Sequence, residues 1–171
     1  MDISLRLEVK QKDAENIIIW LEDQDVTKYL NEDIRSASSL KTILKEGRAD
    51  LLTCYLNQDG RFFLIDSEKE DCLGFINLFT IRKKKEYEVV IAIGNKENWG
   101  KQIAYHALKE TMKEVFFRWR IEKLISKIHI ENQRSIRLFR HLNFRETGTK
   151  NCHIQFEMTF DNYLKTLSSK K

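Results

Sequence analysis

The chain has 171 residues, of which 42% are apolar and 33% charged, with a net charge of +4. That length suits one domain, residues 1–171, with a sizeable core, and charges of mixed sign argue against disorder. The positive excess suits phosphate-bearing ligands but is too small to argue for a nucleic-acid partner.

Ile3 to Val9 alternates apolar and polar residues, as a half-buried strand does. Asp13 can cap a helix running to Asp23, with Ile17, Ile18, Trp20 and Leu21 on its apolar side. A second helix is expected from about Ser36 to Gly47. Leu51–Leu56 and Arg61–Ile65 read as strands joined by the turn Asn57-Gln58-Asp59-Gly60. Leu73–Ile81 and Tyr87–Ile93 are the next two strands, with Arg82–Lys85 turning the chain between them. A long helix follows from about Asn98 to Arg118, striped by Ile103, Ala107, Leu108, Met112, Val115 and Phe116. Lys123–Ile130 is a strand, Asn132–Leu142 a short helix, and Phe144–Thr147 and His153–Phe160 complete the sheet. The order is β-αα-ββββ-α-β-α-ββ, an α+β arrangement of helices on one central sheet.

Three cysteines, Cys54, Cys72 and Cys152, fit neither a zinc motif nor a disulfide framework and read as reduced thiols of a cytoplasmic protein. The opening MDISLRLEV lacks the basic and apolar regions of a signal peptide. No apolar run approaches the roughly 20 residues of a membrane span. His106, His129, His141 and His153 have no metal-ligand spacing, so no metal is expected.

Two segments carry chemistry. In the first, Glu88–Ala104, a strand ends at Ile93-Gly94 and feeds a helix through Trp99-Gly100-Lys101. Such a junction gathers free backbone N–H groups and the positive end of a helix at one point, which suits a pyrophosphate. An ordinary structural turn is the competing explanation. In the second, Asn132–Phe144, Asn132 is a natural N-cap with Ser135 in the first turn, and Asn143 can take the left-handed cap conformation at the helix end.

Together these segments resemble the GNAT superfamily of N-acetyltransferases, and most closely its RimJ/RimL-like branch, which acetylates ribosomal-protein N-termini, polyamines and related amines. The branch's strand, close to A-E-I-G-Y-W-I-G, is matched by Glu88-Val89-Val90-Ile91-Ala92-Ile93-Gly94. Its W-G-K-G-x-A is matched by Trp99-Gly100-Lys101-Gln102-Ile103-Ala104. Its N-x-x-S-I-x-L-Y-x-K-x-G-F is matched by Asn132 through Phe144, and Trp20–Tyr29 looks like its first helix and loop. The resemblance implies a GNAT fold with a mixed, mostly antiparallel sheet, and acetyl-CoA as cosubstrate without a metal.

The resemblance also implies roles. Glu88 would be the general base that deprotonates the incoming amine, with Glu86, on the same strand face, as its substitute. The backbone of Ile91, Ala92 and Ile93 would hold the pantetheine arm, one N–H supporting the developing oxyanion. Trp99, Gly100, Lys101, Gln102, Ile103 and Ala104 would hold the pyrophosphate, and Asn132, Ser135 and Phe139 would complete the cofactor-binding set. Gln102 stands where the family's loop has a glycine, so a side chain there would crowd the phosphates. Phe139 stands where many members have a tyrosine that protonates the leaving thiol, and phenylalanine has no proton to give. Tyr105 is a substitute donor or simply a packed helix residue.

The resemblance implies an amine as acceptor, a small molecule or a protein N-terminus. Asp23, Asp25, Glu32 and Asp33 make the Asp23–Asp33 loop acidic, which suits a cation and equally suits an exposed loop. The basic run Arg82-Lys83-Lys84-Lys85 reads as a solvated hairpin tip, with RNA contact as the sharper alternative. The cluster Phe116-Phe117-Arg118-Trp119 reads as core, with a homodimer patch as its alternative. A GNAT-fold sensor that binds acetyl-CoA with little catalysis is the competing reading of the whole chain.

Overall fold

The computed structural model describes residues 2–30, 37–82 and 85–168. The chain divides into two compact units, Met1–Leu78 with Val90–Glu110, and Phe79–Val89 with Thr111–Lys171. The first contains β1 (Ile3–Arg6), α1 (Gln11–Glu22), α2 (Gln24–Thr27), α3 (Ala37–Lys45), α4 (Leu52–Leu56) and β2 (Gly60–Ser67). Three elements belong partly to each unit: β3 (Gly74–Arg82), β4 (Glu86–Ile93) and α5 (Ile103–Lys113). The second contains β5 (Lys123–His129), α6 (Gln133–His141), β6 (Arg145–Lys150), β7 (His153–Thr159) and α7 (Phe160–Ser168). Backbone hydrogen bonds order the strands β1-β2-β3-β4-β5-β7-β6. β4 and β5 run parallel, whereas β1–β2, β5–β7 and β6–β7 are antiparallel.

The first unit closes on Val9, Ala14, Ile17, Ile18, Trp20, Leu40, Leu52, Leu56, Phe62, Leu64 and Phe75, all buried. Phe62 and Phe75 stack with ring centroids 5.2 Å apart. Leu51–Leu56, expected as a strand, is instead a 3-10 turn running into α4. Leu52 and Leu56 are four residues apart, so a helix puts both on one face, and both are buried. A short apolar run fits either structure, and here the ends decide. Asn57 closes α4: its Nδ2 donates to Thr53 O at 2.8 Å and its Oδ1 accepts from Phe62 N at 2.9 Å. Asn57–Gly60 therefore links a helix to a strand and is not a β-hairpin turn.

Asp13 supports the start of α1, but from its third position. Lys10 is the N-cap, and its backbone N–H donates to Asp13 Oδ2 at 2.8 Å. Arg6 then ties three elements together. Its Nη1 donates to Asp13 at 2.8 Å and its Nε to Asp66 at 2.6 Å, while Asp66 accepts from Cys72 N at 2.7 Å. Burial pushes the Asp13 carboxyl up, yet the Arg6 and Lys10 hydrogen bonds outweigh it and hold the group below its ordinary value. Burial drives the Cys72 thiol up to about 12, which makes it inert.

Gly94 lies against Trp20. A Cβ built there would sit 1.8 Å from Trp20 Cε2. Gly94→Ala should therefore destabilise the fold by about 2–3 kcal/mol, because the indole is itself buried and has no room to withdraw. Chemical denaturation measures this, and a loss below about 0.5 kcal/mol would mean that the helix shifts freely.

In the second unit Phe116 stacks on Tyr163 at 5.0 Å and lies 6.0 Å from Phe160. Both partners belong to α7, a helix that the sequence reading did not contain. Phe116 is fully buried, in keeping with a core role, while Phe117 is 41% exposed. The expected Asn98–Arg118 helix is divided. Lys96–Asn98 is a 3-10 turn, α5 begins only at Ile103, and Glu114–Arg118 is a π turn.

Candidate functional site

The first unit contains the connection from β4 to α5. The Trp99 indole donates to Ile93 O at 2.8 Å, which fixes the chain as it leaves the strand. Trp20 Nε1 donates to Asn95 Oδ1 at 3.1 Å. Lys96 bridges Asp23, at 3.0 Å, and Asp25. The Lys96 hydrogen bond holds the Asp23 carboxyl below its ordinary value. These two acids of the expected acceptor loop are thus committed to an internal lysine. Glu32 and Asp33 lie outside the described residues.

Beyond Trp99 the backbone turns left-handed twice, at Gly100 (φ +81°) and at Gln102 (φ +62°). Gln102 thereby supplies the conformation that glycine gives most cheaply, at a cost of about 1 kcal/mol. Its side chain is exposed. Gln102 O accepts from His106 N at 3.1 Å, so α5 starts there. The amides of Ile103, Ala104 and Tyr105 precede the first intrahelical donor and carry the positive end of the dipole. Ile103 is buried and anchors the turn, while Gly100 and Lys101 are exposed. Lys101 Nζ donates to Asn98 Oδ1 at 3.1 Å. Asn98 is 7% exposed, and among the described residues its buried Nδ2 has no acceptor. Tyr105 has its ring 5.4 Å from His106, with the Lys109 ammonium 5.6 Å from the ring centroid.

The second unit contains Glu88. Its strand pairs with β5 at Glu86↔Lys123, Tyr87↔Leu124 and Glu88↔Ile125. Ile91, Ala92 and Ile93 lie farther along β4 than these three pairs. Ser126 Oγ donates to Val89 O at 3.1 Å. The Glu88 side chain is only 12% exposed, and Lys127 Nζ donates to its Oε2 at 2.7 Å. The sequence reading contained no partner for Glu88.

Asn132 is the N-cap of α6, accepting from Ser135 N at 3.2 Å, and Asn143 is left-handed at φ +62°. Phe139 is 1% exposed, its ring 4.9 Å from Phe144 and 5.9 Å from Phe156. It is a core ring as well as a residue without a proton to donate. His129 and His153 prove to be cross-strand partners with ring centroids 5.3 Å apart. Among the described residues no group of three or more His, Cys, Asp or Glu side chains is placed to hold a metal. Lys83 and Lys84 of the basic run lie outside the described residues, and Lys85 pairs with Glu122 at 2.5 Å. Cys152 is exposed in the β6–β7 turn, where it and Asn151 are both left-handed. A cavity of about 650 Å³ lies beside Arg140, Asn143, Arg145 and Lys165, and no predicted site residue lines it.

Sequence reasoning missed Lys127, Asn98 and Ser126. Lys127 and Ser126 became visible only with the β4–β5 register. Asn98 was legible as part of the loop but not as a buried donor.

Among the described residues no helix is long and apolar enough to cross a membrane. Residues 4–145 match the family described as "Acetyltransferase (GNAT) domain". The uncharacterized N-acetyltransferase p20 of Bacillus licheniformis is 24% identical over 142 residues, 80% of this chain and 76% of that protein. The spermidine N-acetyltransferase of Vibrio cholerae, solved with CoA and spermine, superposes with a TM-score of 0.74 at 18% identity, covering 95% of this chain and 98% of that one. An aminoglycoside acetyltransferase solved with coenzyme A gives 0.77 at 13% identity, covering 97% and 99%. The chain belongs to the GNAT family of acetyltransferases, which use acetyl-CoA as acyl donor.

Proposed function

We propose that the chain is a single cytoplasmic acetyltransferase domain of the RimJ/RimL-like branch. It moves an acetyl group from acetyl-CoA to a primary amine by direct attack in a ternary complex. The observation that carries the reading is the loop Gly100-Lys101-Gln102 at the start of α5. Its left-handed residues and the N-terminal end of α5 suit an anion, and Lys101 adds a cation in the same loop. Among the described residues the buried Asn98 Nδ2 in the same loop has no acceptor, and a phosphate-bearing ligand would supply one. Ile91–Ile93 are the residues for the pantetheine arm, and Asn132, Ser135 and Phe139 are further candidates for cofactor contact.

Glu88 is the base. A protonated amine is no nucleophile, and an alkylammonium with a pKa near ~10 must lose a proton before it attacks. Among the structural relatives are a spermidine and an aminoglycoside acetyltransferase, and both names denote amine acceptors. A polyamine, another small amine or a protein N-terminus is the acceptor here. Because Asp23 and Asp25 are held by Lys96, an acceptor cation would have to displace that lysine to use them. Phe139 keeps a second reading in view, that of an acetyl-CoA sensor with little turnover.

Thiol release from acetyl-CoA, measured against small amines and N-terminal peptides, tests the proposal. Gly100→Asp should raise the Kd for CoA about tenfold or more, since it puts a carboxylate where backbone amides meet the pyrophosphate. An unchanged Kd would place the phosphate loop elsewhere. Binding of acetyl-CoA without turnover of any amine would favour the sensor.

A further inference from the structure

Lys127 is a primary amine held on the carboxylate that this reading makes the base. The register explains why. Glu88 stands opposite Ile125 in the parallel β4–β5 pair, and Lys127, two residues on, shares the face of Ile125. From there its Nζ reaches Glu88 Oε2 at 2.7 Å. Lys123 shares the same face of β5 but is directed to Glu157, at 3.2 Å. Of these two lysines, Lys127 alone occupies the place that an acceptor's ammonium must take beside Glu88. Its side chain is 48% exposed, so the ammonium is not sealed in by the fold.

We propose that Lys127 is an intramolecular acceptor, a site at which the enzyme acetylates itself when no amine substrate is bound. The inference rests on the assignment of Glu88 as base. Glu88 Oε2 takes a proton from the Lys127 ammonium. The freed Nζ lone pair attacks the thioester carbonyl carbon of acetyl-CoA and forms the N–C bond. The C–S bond then breaks, its electron pair leaving with sulfur, and the thiolate is protonated by water. The balance is lysine ammonium plus acetyl-CoA giving N-acetyllysine, CoA thiol and one released proton. The product carries no charge, so the pair with Glu88 is lost and the carboxylate is left to an external amine.

The test uses the full chain incubated with acetyl-CoA labelled in its acetyl group, without an acceptor, followed by peptide mapping over time. Lys127 should be labelled at least about tenfold faster than Lys123 and the other exposed lysines, because its Nζ is held on the carboxylate that acts as base. Glu88→Gln should bring Lys127 down to the background rate. Lys127→Arg keeps a cation on Glu88 and should abolish the fast label. Thiol release with the amine panel is followed in parallel, in the parent and in Glu88→Gln. If amines turn over in a Glu88-dependent manner while Lys127 labels no faster than Lys123, self-acetylation is refuted and the acetyltransferase reading stands. If Glu88→Gln changes neither rate, the assignment of the base fails and the role of Lys127 fails with it.

Discussion

Glu88→Gln should lower turnover about 100-fold or more while the Kd for acetyl-CoA stays within about twofold. The amide keeps the volume and planar shape of the carboxylate but cannot accept the amine's proton. It also loses the ion pair to Lys127, and that loss has to be separated from the chemistry. Lys127 is half-exposed, so breaking the pair costs at most about 1 kcal/mol. The variant should therefore remain folded, with a melting temperature a few degrees lower at most. Rate and stability move by different amounts, and a thermal scan beside the thiol-release assay separates them. Intact turnover in Glu88→Gln would transfer the role to Glu86 or to a water held by the backbone. Lost turnover accompanied by lost CoA binding would instead mean that Glu88 shapes the site.

Arg6→Met should destabilise the first unit by about 3–5 kcal/mol near neutrality. The substitution preserves much of the aliphatic volume but strands two carboxylates. Asp13 and Asp66 have side chains only 7% and 10% exposed, and Arg6 is the cation bonded to both. Acidification should narrow the difference between variant and parent. In the parent the Asp13 carboxyl sits below its ordinary value of 3.8, so its contribution is full above that value and is lost as pH falls through the depressed one. In the variant burial acts without Arg6 and pushes the carboxyl up, so protonation relieves the stranded charge. Denaturant titrations near neutrality and in mild acid would show this convergence. A constant gap between the two proteins would mean that Arg6 acts through packing alone.

What was legible in the sequence was mostly local. The caps of α6 depend on side chains within a few residues of the backbone they serve, so Asn132 and Asn143 announced both ends of the helix. Gln102 was legible as a departure from the family's glycine. Its consequence was not, because only the backbone shows that glutamine takes the same left-handed turn at the expense of some strain. Leu51–Leu56 was misread because a short apolar run satisfies either period, and the deciding contacts come from Asn57 and from burial of Leu52 and Leu56 on one side. The helix α7 was missed because neither glycine nor proline marks the point at Phe160 where β7 gives way to it. The Glu88–Lys127 and His129–His153 pairs join residues remote in sequence, so they follow from strand register and no local pattern encodes them.

The tie between Trp20, Gly94, Asn95 and Lys96 has a consequence for how the first unit breathes. The end of α1 and the departure from β4 are joined by an indole seated on a glycine, an indole–amide bond, and one lysine shared by Asp23 and Asp25. Neither segment has room to open without releasing the other, so the two constitute one cooperative unit of local unfolding. The exposed lysine pairs are weakened at high ionic strength, whereas the buried indole is not. Salt therefore loosens the rim of this unit and leaves its centre shut. A ligand that orders the loop after Trp99 lowers the population of the open state along the end of α1 as well.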